Sequence, residues 1–430
     1  MNSNGVSAVI GCQWGDEGKG KLIDILAEKF DIIARATGGA NAGHTIYIND
    51  PDNPEKPKKF VFHLVPSGML HEKPICVIGN GVVLHLETLM HEIDVLNENN
   101  IKTEGRILIS DRTHLVFDYH KIIDGLQEDK KGDKKVGTTK RGIGPSYTDK
   151  IRRNGIRVHH LLEWDKFEEM YHANLAMFKE MYGDFEYDTA AELQKHKEII
   201  EKIRPHIIDG ALYLNRALDE GKKVLIEGAN GALLDIDHGT YPFVTSSNAS
   251  IGGMITGTGL GPKRFENIIG IMKAYTTRVG AGPFAAELEN ETGDQIREAG
   301  GEYGATTGRP RRCGWYDAFL GKYAVMINNV TEINLTKLDV LTGLETLKIA
   351  VGYSHNGKKL ETYPASLTIQ EGVEVEYIEM PGWTEDISAI TSYDELPANA
   401  KAYVEKIEEL LGCPVNSIAP GVRREDMIFK

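Results

Sequence analysis

Short apolar segments rich in β-branched residues recur along the chain, and most lack a clean alternation of apolar and polar positions. Such runs are typical of strands that are buried on both faces of a largely parallel sheet. We predict strands in residues 6–11, 31–36, 59–65, 75–79, 106–110, 223–228, 267–275 and 332–341. Amphipathic stretches between several of them, such as 19–30 and 86–100, predict helices. The alternation indicates an α/β fold with a large, mostly parallel central sheet flanked by helices.

Two further segments depart from this alternation. Residues 160–221 have a mostly helical pattern and predict a helical excursion from the sheet. Residues 49–59 are rich in proline and charge, which predicts a solvated surface loop that touches no chemistry. There is no internal repeat and no sharp change of composition. We therefore expect one domain over residues 1–430.

The charge and the cysteines restrict the partners of the protein. The 430 residues include 49 basic and 63 acidic residues, giving a formal net charge of −14. This balance argues against non-specific nucleic-acid binding, so an anion site must be local. The four cysteines lie far apart, which indicates free thiols in a reducing compartment. Without a recognisable signal peptide or an apolar run of about 18 residues, we expect a cytoplasmic protein with no membrane partner.

The segment GCQWGDEGKGK, residues 11–21, follows a predicted strand and begins a predicted helix. Its glycines let the backbone turn tightly and direct N–H groups at an anion, and Lys19 adds a positive charge. These features are typical of a phosphate-binding loop. However, Gly20 stands where such loops carry a serine or threonine that binds Mg²⁺, and Asp16 and Glu17 add two carboxylates. A phosphate loop with acids and no hydroxyl needs a specific explanation.

Two other polar clusters are candidates for ligand binding. The segment TGGANAGHT, residues 37–45, places Asn41, Gly43 and His44 in a loop after an apolar strand. A structural or surface role is the alternative for His44. The segment YGATTGRPRR, residues 303–312, concentrates arginines that suit bidentate capture of carboxylate or phosphate. Its alternative is a solvated basic turn.

The segment TKLD, residues 336–339, closes a predicted strand, at the edge of an α/β sheet where ligands collect. An ionised aspartate only accepts hydrogen bonds, and guanine offers two adjacent donors at N1 and N2 that adenine lacks. We therefore expect Asp339 to select guanine. The Lys-x-Asp pattern alone is weak, because charged residues often end strands by chance. The single Asp-x-x-Gly, Asp129 to Gly132, does not follow a strand, which counts against a signalling GTPase switch.

Seven segments together resemble the adenylosuccinate synthetase family, GTP-dependent ligases that join IMP and aspartate. They are QWGDEGKGK, GGANAGHT, GTTKRGIGPSYTDK, DIDHGTYPFVTSSN, TRVGAGPF, GATTGRPRR and LTKLD. Weaker similarity continues through MPGW, residues 380–383, to the end of the chain. The resemblance implies a central sheet like that of P-loop NTPases, Mg²⁺ as cofactor and GTP as co-substrate.

The resemblance also implies a mechanism. The family transfers the γ-phosphoryl group of GTP to the 6-oxygen of IMP, and the aspartate amine then displaces it from the 6-phosphoryl-IMP intermediate. This is the first committed step of AMP synthesis from IMP. Asp16 corresponds to the base that takes the N1 proton of IMP, and with the carbonyl of Gly43 it would bind Mg²⁺. His44 corresponds to the general acid on the 6-oxygen side. The role of Asp16 explains why an acid stands in the phosphate loop. Glu17 has no catalytic counterpart in the family and is interpreted as structural.

The resemblance implies three sets of contacts. Those to GTP are Gly15, Asp16, Glu17, Gly18, Lys19, Gly20, Lys21, Gly43, His44, Thr45, Arg311, Lys337, Leu338, Asp339, Ala419, Pro420 and Gly421. Those to IMP are Asp16, Lys19, Asn41, Ala42, Gly43, His44, Thr139, Arg153, Asn230, Thr245 and Arg309. Those to L-aspartate are Ala305, Thr306, Thr307, Gly308, Arg309, Pro310 and Arg311. Arg153 corresponds to a residue donated by the neighbouring subunit, which implies a homodimer.

Two positions depart from the family pattern, and two other functions compete with this one. Asn230 stands where many relatives carry glutamine, and residues 419–426 match the usual C-terminal loop poorly. A GTP-binding switch protein would need a hydroxyl residue after Lys19 and an Asp-x-x-Gly after a strand. An ATP-dependent ligase of another class is opposed by Asp339.

Overall fold

The computed structural model describes residues 5–50, 53–132, 137–304, 308–421 and 426–430. Its α-helices are α1 Lys19–Ala27, α2 Leu86–Glu98, α3 Asp118–Lys130, α4 Ile143–Arg152, α5 Trp164–Tyr182, α6 Thr189–Ile203, α7 Gly210–Asp219, α8 Ile251–Thr258, α9 Glu291–Gly300, α10 Ala318–Asn328, α11 Leu367–Glu371 and α12 Ala398–Leu411. Within these described ranges, no helix is both long and apolar enough to cross a membrane.

Ten of the described strands form the central sheet. In sheet order they are β20 Ile428–Phe429, β19 Val415–Ala419, β15 Glu332–Thr336, β11 Phe265–Lys273, β1 Val6–Gly11, β10 Val224–Glu227, β2 Ile32–Arg35, β5 Ile75–Ile78, β7 Ile107–Ser110 and β9 Ile207–Ile208. Neighbouring strands are parallel except for the antiparallel pair β19 and β20. The predicted mostly parallel sheet is confirmed.

The other described strands form small sheets. They are the antiparallel pair β3 His44–Asp50 and β4 Asn53–Phe62, the parallel pair β6 Val83–His85 and β8 His114–Val116, the antiparallel pair β12 Thr276–Arg278 and β13 Arg312–Gly314, and the group β14 Tyr316–Asp317, β16 Thr346–His355, β17 Lys358–Lys359 and β18 Glu374–Pro381.

Apolar side chains cover both faces of the central sheet. Every residue of β1 is buried, and its side chains alternate between two apolar clusters. Ala8 and Ile10 belong to the cluster that contains Ile226. Val9 belongs to the opposite cluster with Leu22 of α1. This two-sided burial is the reason why the strands lack an alternating polar pattern.

Two predicted segments differ from the structure. The segment 59–65 does not join the central sheet, because Phe60 to Phe62 lie in β4, which pairs only with β3. The loop predicted for 49–59 is wrong for the described residues there, since β4 begins at Asn53. Proline suggested a loop, but a two-stranded hairpin leaves one edge of each strand unpaired, where proline costs no ladder hydrogen bond.

The ends of two other elements position the site. The strand predicted for 332–341 stops at Thr336, because Lys337 adopts a left-handed backbone with φ 58° and a 3₁₀ helix follows over Leu338–Leu341. The predicted helical excursion is present as α5, α6 and α7, with the short strand β9 between the last two. The phosphate loop, residues 12–18, joins β1 to α1 at the carboxyl edge of the sheet.

Candidate active site

A cavity of about 700 Å³ opens at the carboxyl edge of the central sheet. The following predicted site residues line it: Gly15, Asp16, Gly18, Lys19, Gly20, Asn41, Ala42, Gly43, His44, Thr45, Thr139, Asn230, Thr245 and Arg311. The other described candidates do not line it: Glu17, Lys21, Arg153, Gly308, Arg309, Pro310, Lys337, Leu338, Asp339, Ala419, Pro420 and Gly421. Ala305, Thr306 and Thr307 lie outside the described residues.

Glu17 holds the phosphate loop in its conformation from inside. Its buried carboxylate accepts hydrogen bonds from the backbone N–H of Gln13 at 3.0 Å and of Gly15 at 2.9 Å. It also accepts one from Nζ of Lys19 at 2.6 Å. A Cβ at Gly11, the last residue of β1, would lie 2.4 Å from Oε2 of Glu17 and 2.7 Å from the carbonyl oxygen of Asn230, so this position requires glycine. These contacts agree with the structural interpretation of Glu17.

The amino end of α1 gives the cavity its anion-binding character. Helix α1 begins at Lys19, directly after Gly18, whose φ of 93° is a conformation that favours glycine. The unpaired N–H groups of a first helical turn and the helix dipole both favour a bound anion. Because Lys19 and Gly20 line the cavity at this end, it is suited to phosphate.

Asp16 is placed where it can act on a ligand. It has a positive φ of 60°, and its side chain is 40% exposed. Its Oδ2 lies 3.0 Å from Nε of Arg311, and the other end of that guanidinium donates to Glu302 at 2.6 Å. One accessible carboxylate beside a phosphate site is the donor set with which proteins usually bind Mg²⁺, which takes its remaining ligands from phosphates and water. The residues therefore fit this cofactor.

His44, the first residue of β3, forms a buried pair with Glu227 at the end of β10. Its Nδ1 is hydrogen-bonded to Oε1 of Glu227. Glu227 also accepts from the backbone N–H of Ser67 at 2.8 Å and its hydroxyl at 2.9 Å. Since an ionised carboxylate only accepts hydrogen bonds, Nδ1 of His44 carries a proton. Burial lowers the pKa of His44, and this outweighs the raising effect of Glu227.

Sequence reasoning missed both Glu227 and its neighbour Arg35. The parallel register of β10 and β2 sets Glu227 opposite Arg35. Arg35 is fully buried, and its guanidinium nitrogens have no hydrogen-bond partner among the described residues. Burial alone would raise the pKa of Glu227. The positive charges of His44 and Arg35 outweigh this effect and lower that pKa. The available signal was a charged residue at the end of each of two otherwise apolar strands.

Two amide side chains on the cavity wall have acceptors without partners. Asn41 and Asn230 both line the cavity, and Oδ1 of each is buried with no hydrogen-bond partner within the described ranges. Asn230 follows β10 with a positive φ of 62°. Buried amide oxygens are normally satisfied, so these two are suited to accept from N–H or O–H groups of a ligand.

The candidates for base binding converge from three segments beyond the cavity. Lys337 donates its backbone N–H to the carbonyl of Ala419 at 2.8 Å, and Nζ of Lys21 donates to the carbonyl of Gly421 at 2.9 Å. Oδ1 of Asp339 is buried and has no hydrogen-bond partner in the described part of the chain. Burial raises the pKa of Asp339 to about 6. An unsatisfied buried carboxylate is what the guanine hypothesis requires.

Glu302, a second residue that sequence reasoning missed, connects the base-binding cluster to the cavity. It is fully buried and accepts from Nζ of Lys273 at 2.9 and 3.0 Å and from Nζ of Lys337 at 2.9 Å. It also accepts from Arg311. Burial alone would raise the pKa of Glu302. The positive charges of Lys273, Lys337 and Arg311 outweigh this effect and hold that pKa well below its ordinary value. Glu302 therefore fixes Lys337 and Arg311 relative to each other.

Arg153 lies apart from the cavity. It follows α4 with a left-handed backbone, φ 69°, and is exposed. It is not among the described residues that line the cavity. Its assignment to a neighbouring subunit's site stays a prediction.

Comparisons with known proteins agree on one family. The family model of adenylosuccinate synthetase matches residues 8–428. The chain is 53% identical to adenylosuccinate synthetase 2, chloroplastic, of Physcomitrium patens, over 99% of this chain and 82% of that protein. It is 48% identical to adenylosuccinate synthetase of Schizosaccharomyces pombe, over 100% and 98%.

A solved structure is similar over the whole length. The structure of fully ligated adenylosuccinate synthetase from Plasmodium falciparum superimposes with a TM-score of 0.94 at 46% identity, covering 100% of both chains. Together with the match of the family model, this similarity shows that the chain belongs to the adenylosuccinate synthetase family.

Proposed function

We propose that this protein is a GTP-dependent ligase that forms adenylosuccinate from IMP and L-aspartate through 6-phosphoryl-IMP. The observation that carries the proposal is the meeting, on one cavity, of the amino end of α1, the accessible carboxylate of Asp16 and the buried pair of His44 and Glu227. A bare nucleotide-binding module needs only the first of these. Membership of the family supports the same activity.

Asp16 takes the proton from N1 of IMP as the 6-oxygen becomes the nucleophile. The guanidinium of Arg311 lies 3.0 Å from the carboxylate of Asp16, and an ionised carboxylate is the form that can accept a proton. Asn41 and Asn230 present unsatisfied oxygens on the same wall and are suited to orient the nucleotide. Mg²⁺ held by Asp16 and the carbonyl of Gly43 would offset the negative charge of the phosphates.

His44 donates a hydrogen bond or proton on the 6-oxygen side. Glu227 holds Nδ1, which leaves Nε2 of the ring to face a ligand. Burial keeps the pKa of His44 low in the free protein, and bound phosphates would raise it by adding negative charge nearby. Lys19 and the N–H groups of the first turn of α1 stabilise the transferring phosphoryl group.

L-Aspartate binds to the segment 305–311 in this proposal. Arg309 and Arg311 supply guanidinium groups suited to its carboxylates. Arg311 contacts both Asp16 and Glu302, so it joins this segment to the proton-transfer site. A homodimer, a cytoplasmic location and a single domain over residues 1–430 remain predictions.

The first prediction tests the reaction directly. Purified protein with Mg²⁺, GTP, IMP and L-aspartate should form adenylosuccinate, with one GDP and one phosphate released per product. Adenylosuccinate is followed by its ultraviolet absorbance. Omission of either IMP or aspartate should stop product formation. GTP hydrolysis that continues at the full rate without both substrates would support a GTP-binding switch protein instead.

The second prediction concerns the pH profile of Glu227→Gln. Burial lowers the pKa of His44, and the negative charge of Glu227 opposes this effect. The substitution removes that negative charge. His44 then loses its proton at a lower pH, so the fall of kcat with rising pH should begin about one pH unit lower, which corresponds to about 1.4 kcal/mol.

Ser67→Ala is the matched control, because it removes one hydrogen bond to Glu227 without changing any charge. Ser67→Ala should shift the pH profile of kcat far less than Glu227→Gln does. Glu227 would be a merely structural residue if Glu227→Gln lowered kcat equally at every pH.

The third prediction tests the shared site. Asp16→Ala and Arg153→Ala should each be inactive alone, and should recover activity when the two chains are mixed and exchange subunits. One site of each mixed dimer then carries both lesions and the other carries neither. Random pairing makes half of the dimers mixed, so about a quarter of the wild-type activity should return.

Arg152→Ala, which changes the adjacent arginine in α4, serves as the control and should remain active. Near-normal activity of Arg153→Ala alone would show that Arg153 is an ordinary solvated arginine. Absence of rescue despite demonstrated subunit exchange would also exclude the shared site.

A further inference from the structure

A second group of metal-ligating side chains lies outside the active-site cavity, between α2 and α6. It consists of Glu87 in the first turn of α2 and Glu192 and His196 of α6, and is here named the α2–α6 cluster. One ligand atom from each residue lies within 4.8 Å of the others. Glu192 and His196 are four residues apart, so both project from the same face of the helix.

The cluster contains three acceptors without donors. Oε2 of Glu87, Oε2 of Glu192 and Nε2 of His196 are all buried, and none has a hydrogen-bond partner among the residues that the structure describes. The residues Glu192 and His196 are only 7% and 1% exposed. Buried polar atoms are nearly always paired, because leaving one unpaired costs about 1–3 kcal/mol. Three such atoms on the residues of one cluster indicate that something binds them.

The contacts of the His196 ring fix the chemical character of its free nitrogen. Nδ1 lies 2.6 Å from the backbone carbonyl oxygen of Glu192, which can only accept. A neutral ring therefore carries its proton on Nδ1 and has a lone pair on Nε2. This is the tautomer in which histidine binds metals, with the second nitrogen oriented by a carbonyl.

The neighbouring cations and donors contact atoms other than the three unpaired acceptors. Nε2 of His85 lies 3.3 Å from Oε2 of Glu87, without the geometry of a hydrogen bond. Its Nδ1 accepts from the N–H of Thr88, so the proton is on Nε2, which donates to Asp118 at 3.1 Å. Lys195 contacts the other oxygen of Glu192.

Three carboxylates lie close together at the cluster. Besides Glu87 and Glu192, Asp118 places a ligand atom within 4.8 Å of one of Glu87. Lys121 pairs with Asp118 at 2.7 Å, and Lys195 pairs with Glu192. A cation at the cluster would therefore relieve both the unpaired acceptors and the excess of negative charge.

We propose that Glu87, Glu192 and His196 bind one divalent transition-metal ion of the zinc class. Two carboxylate oxygens and one imidazole nitrogen are typical zinc ligands, with a fourth position left for water. Mg²⁺ fits less well, because it prefers an all-oxygen octahedral shell. The ion cross-links α2 to α6 and would stabilise the helical excursion against the rest of the domain. The site is independent of the proposed reaction.

Zinc binding to the full-length protein tests the proposal. The probe is Zn²⁺ alone, measured by titration calorimetry and by metal analysis after dialysis, with excess Mg²⁺ present to occupy oxygen-only sites. Co²⁺ in place of zinc gives a visible spectrum that reports nitrogen ligation. We expect one ion per chain and a rise in Tm that EDTA reverses.

Three variants locate the ion. His196→Gln and Glu87→Gln should each weaken zinc binding at least tenfold, as removal of supporting contacts alone typically costs about 10–100-fold. His172→Gln is the matched control, because His172 and Glu168 form a similarly spaced pair on an exposed face of α5. It should bind zinc normally. If His196→Gln does not fold, Glu87→Gln, whose side chain is partly exposed, decides the question.

Two outcomes overturn the proposal. Absence of stoichiometric zinc uptake by the wild-type protein would mean that a buried water or a shared proton satisfies the three acceptors. Uptake that survives both Glu87→Gln and His196→Gln would place the ion elsewhere. In either case adenylosuccinate formation by the wild-type protein would remain unaffected, so the proposed function is tested separately.

Discussion

Asp16→Asn is expected to reduce turnover by about 10²–10⁴-fold, the usual contribution of general acid–base catalysis, while GTP and IMP still bind. Asparagine has the same shape as aspartate and tolerates the positive φ of 60° at this position. The amide, however, cannot take the N1 proton of IMP and does not bind Mg²⁺ as an anion. Steady-state kcat and equilibrium binding of each nucleotide separate the two effects.

Asp124→Asn is the matched control for this prediction. Asp124 also lines the cavity, but its carboxylate accepts from the hydroxyl of Thr138 and the N–H of Gly142. Its replacement should lower kcat much less. A kcat for Asp16→Asn within about tenfold of the wild type would exclude Asp16 as the base, given the size of effect expected for proton transfer.

The fold was predictable where burial alone determines the pattern. Val9, Ile33 and Leu225 lie in strands whose every residue is buried, so an unbroken apolar run was a direct signal. Strand β9 contains only Ile207 and Ile208 and was too short to separate from the helices around it. Strand β4 was missed up to residue 59 because its prolines suggested a loop, whereas its pairing with β3 depends on tertiary structure.

The site was predictable where its chemistry is local in sequence. The glycines, Asp16 and Lys19 of the phosphate loop lie within a few residues, as do Lys337 and Asp339. Glu227 meets His44 from 183 residues away. Glu302 meets Lys273 and Lys337 across 29 and 35 residues. Glu227 could be noticed as the charged end of an apolar strand, but for both glutamates only the packed structure identifies the partners.

Base selection should depend on Asp339. The wild-type protein is expected to prefer GTP over ATP by about 10⁴-fold in kcat/KM, because ATP would leave a buried carboxylate unpaired. Oδ1 of Asp339 has no partner among the described residues, so the N1–H and N2–H of guanine are its natural donors. In Asp339→Asn the amide presents one acceptor and one donor. Most of the preference for GTP should then be lost, and comparable kcat/KM values for ATP and GTP in the wild type would refute the assignment.

The same carboxyl group should make nucleotide binding depend on pH. Burial raises the pKa of Asp339 to about 6, and guanine needs the ionised form. The Kd of GDP should therefore rise as pH falls through about 6, since the protonated carboxyl can accept only one of the two hydrogen bonds. The terminal phosphate of GDP also titrates in this range, so Asp339→Asn is the necessary control. The GDP affinity of Asp339→Asn should keep only the pH dependence that comes from the phosphate. An identical pH dependence of GDP binding in the wild type and in Asp339→Asn would exclude Asp339 as the group that binds the base.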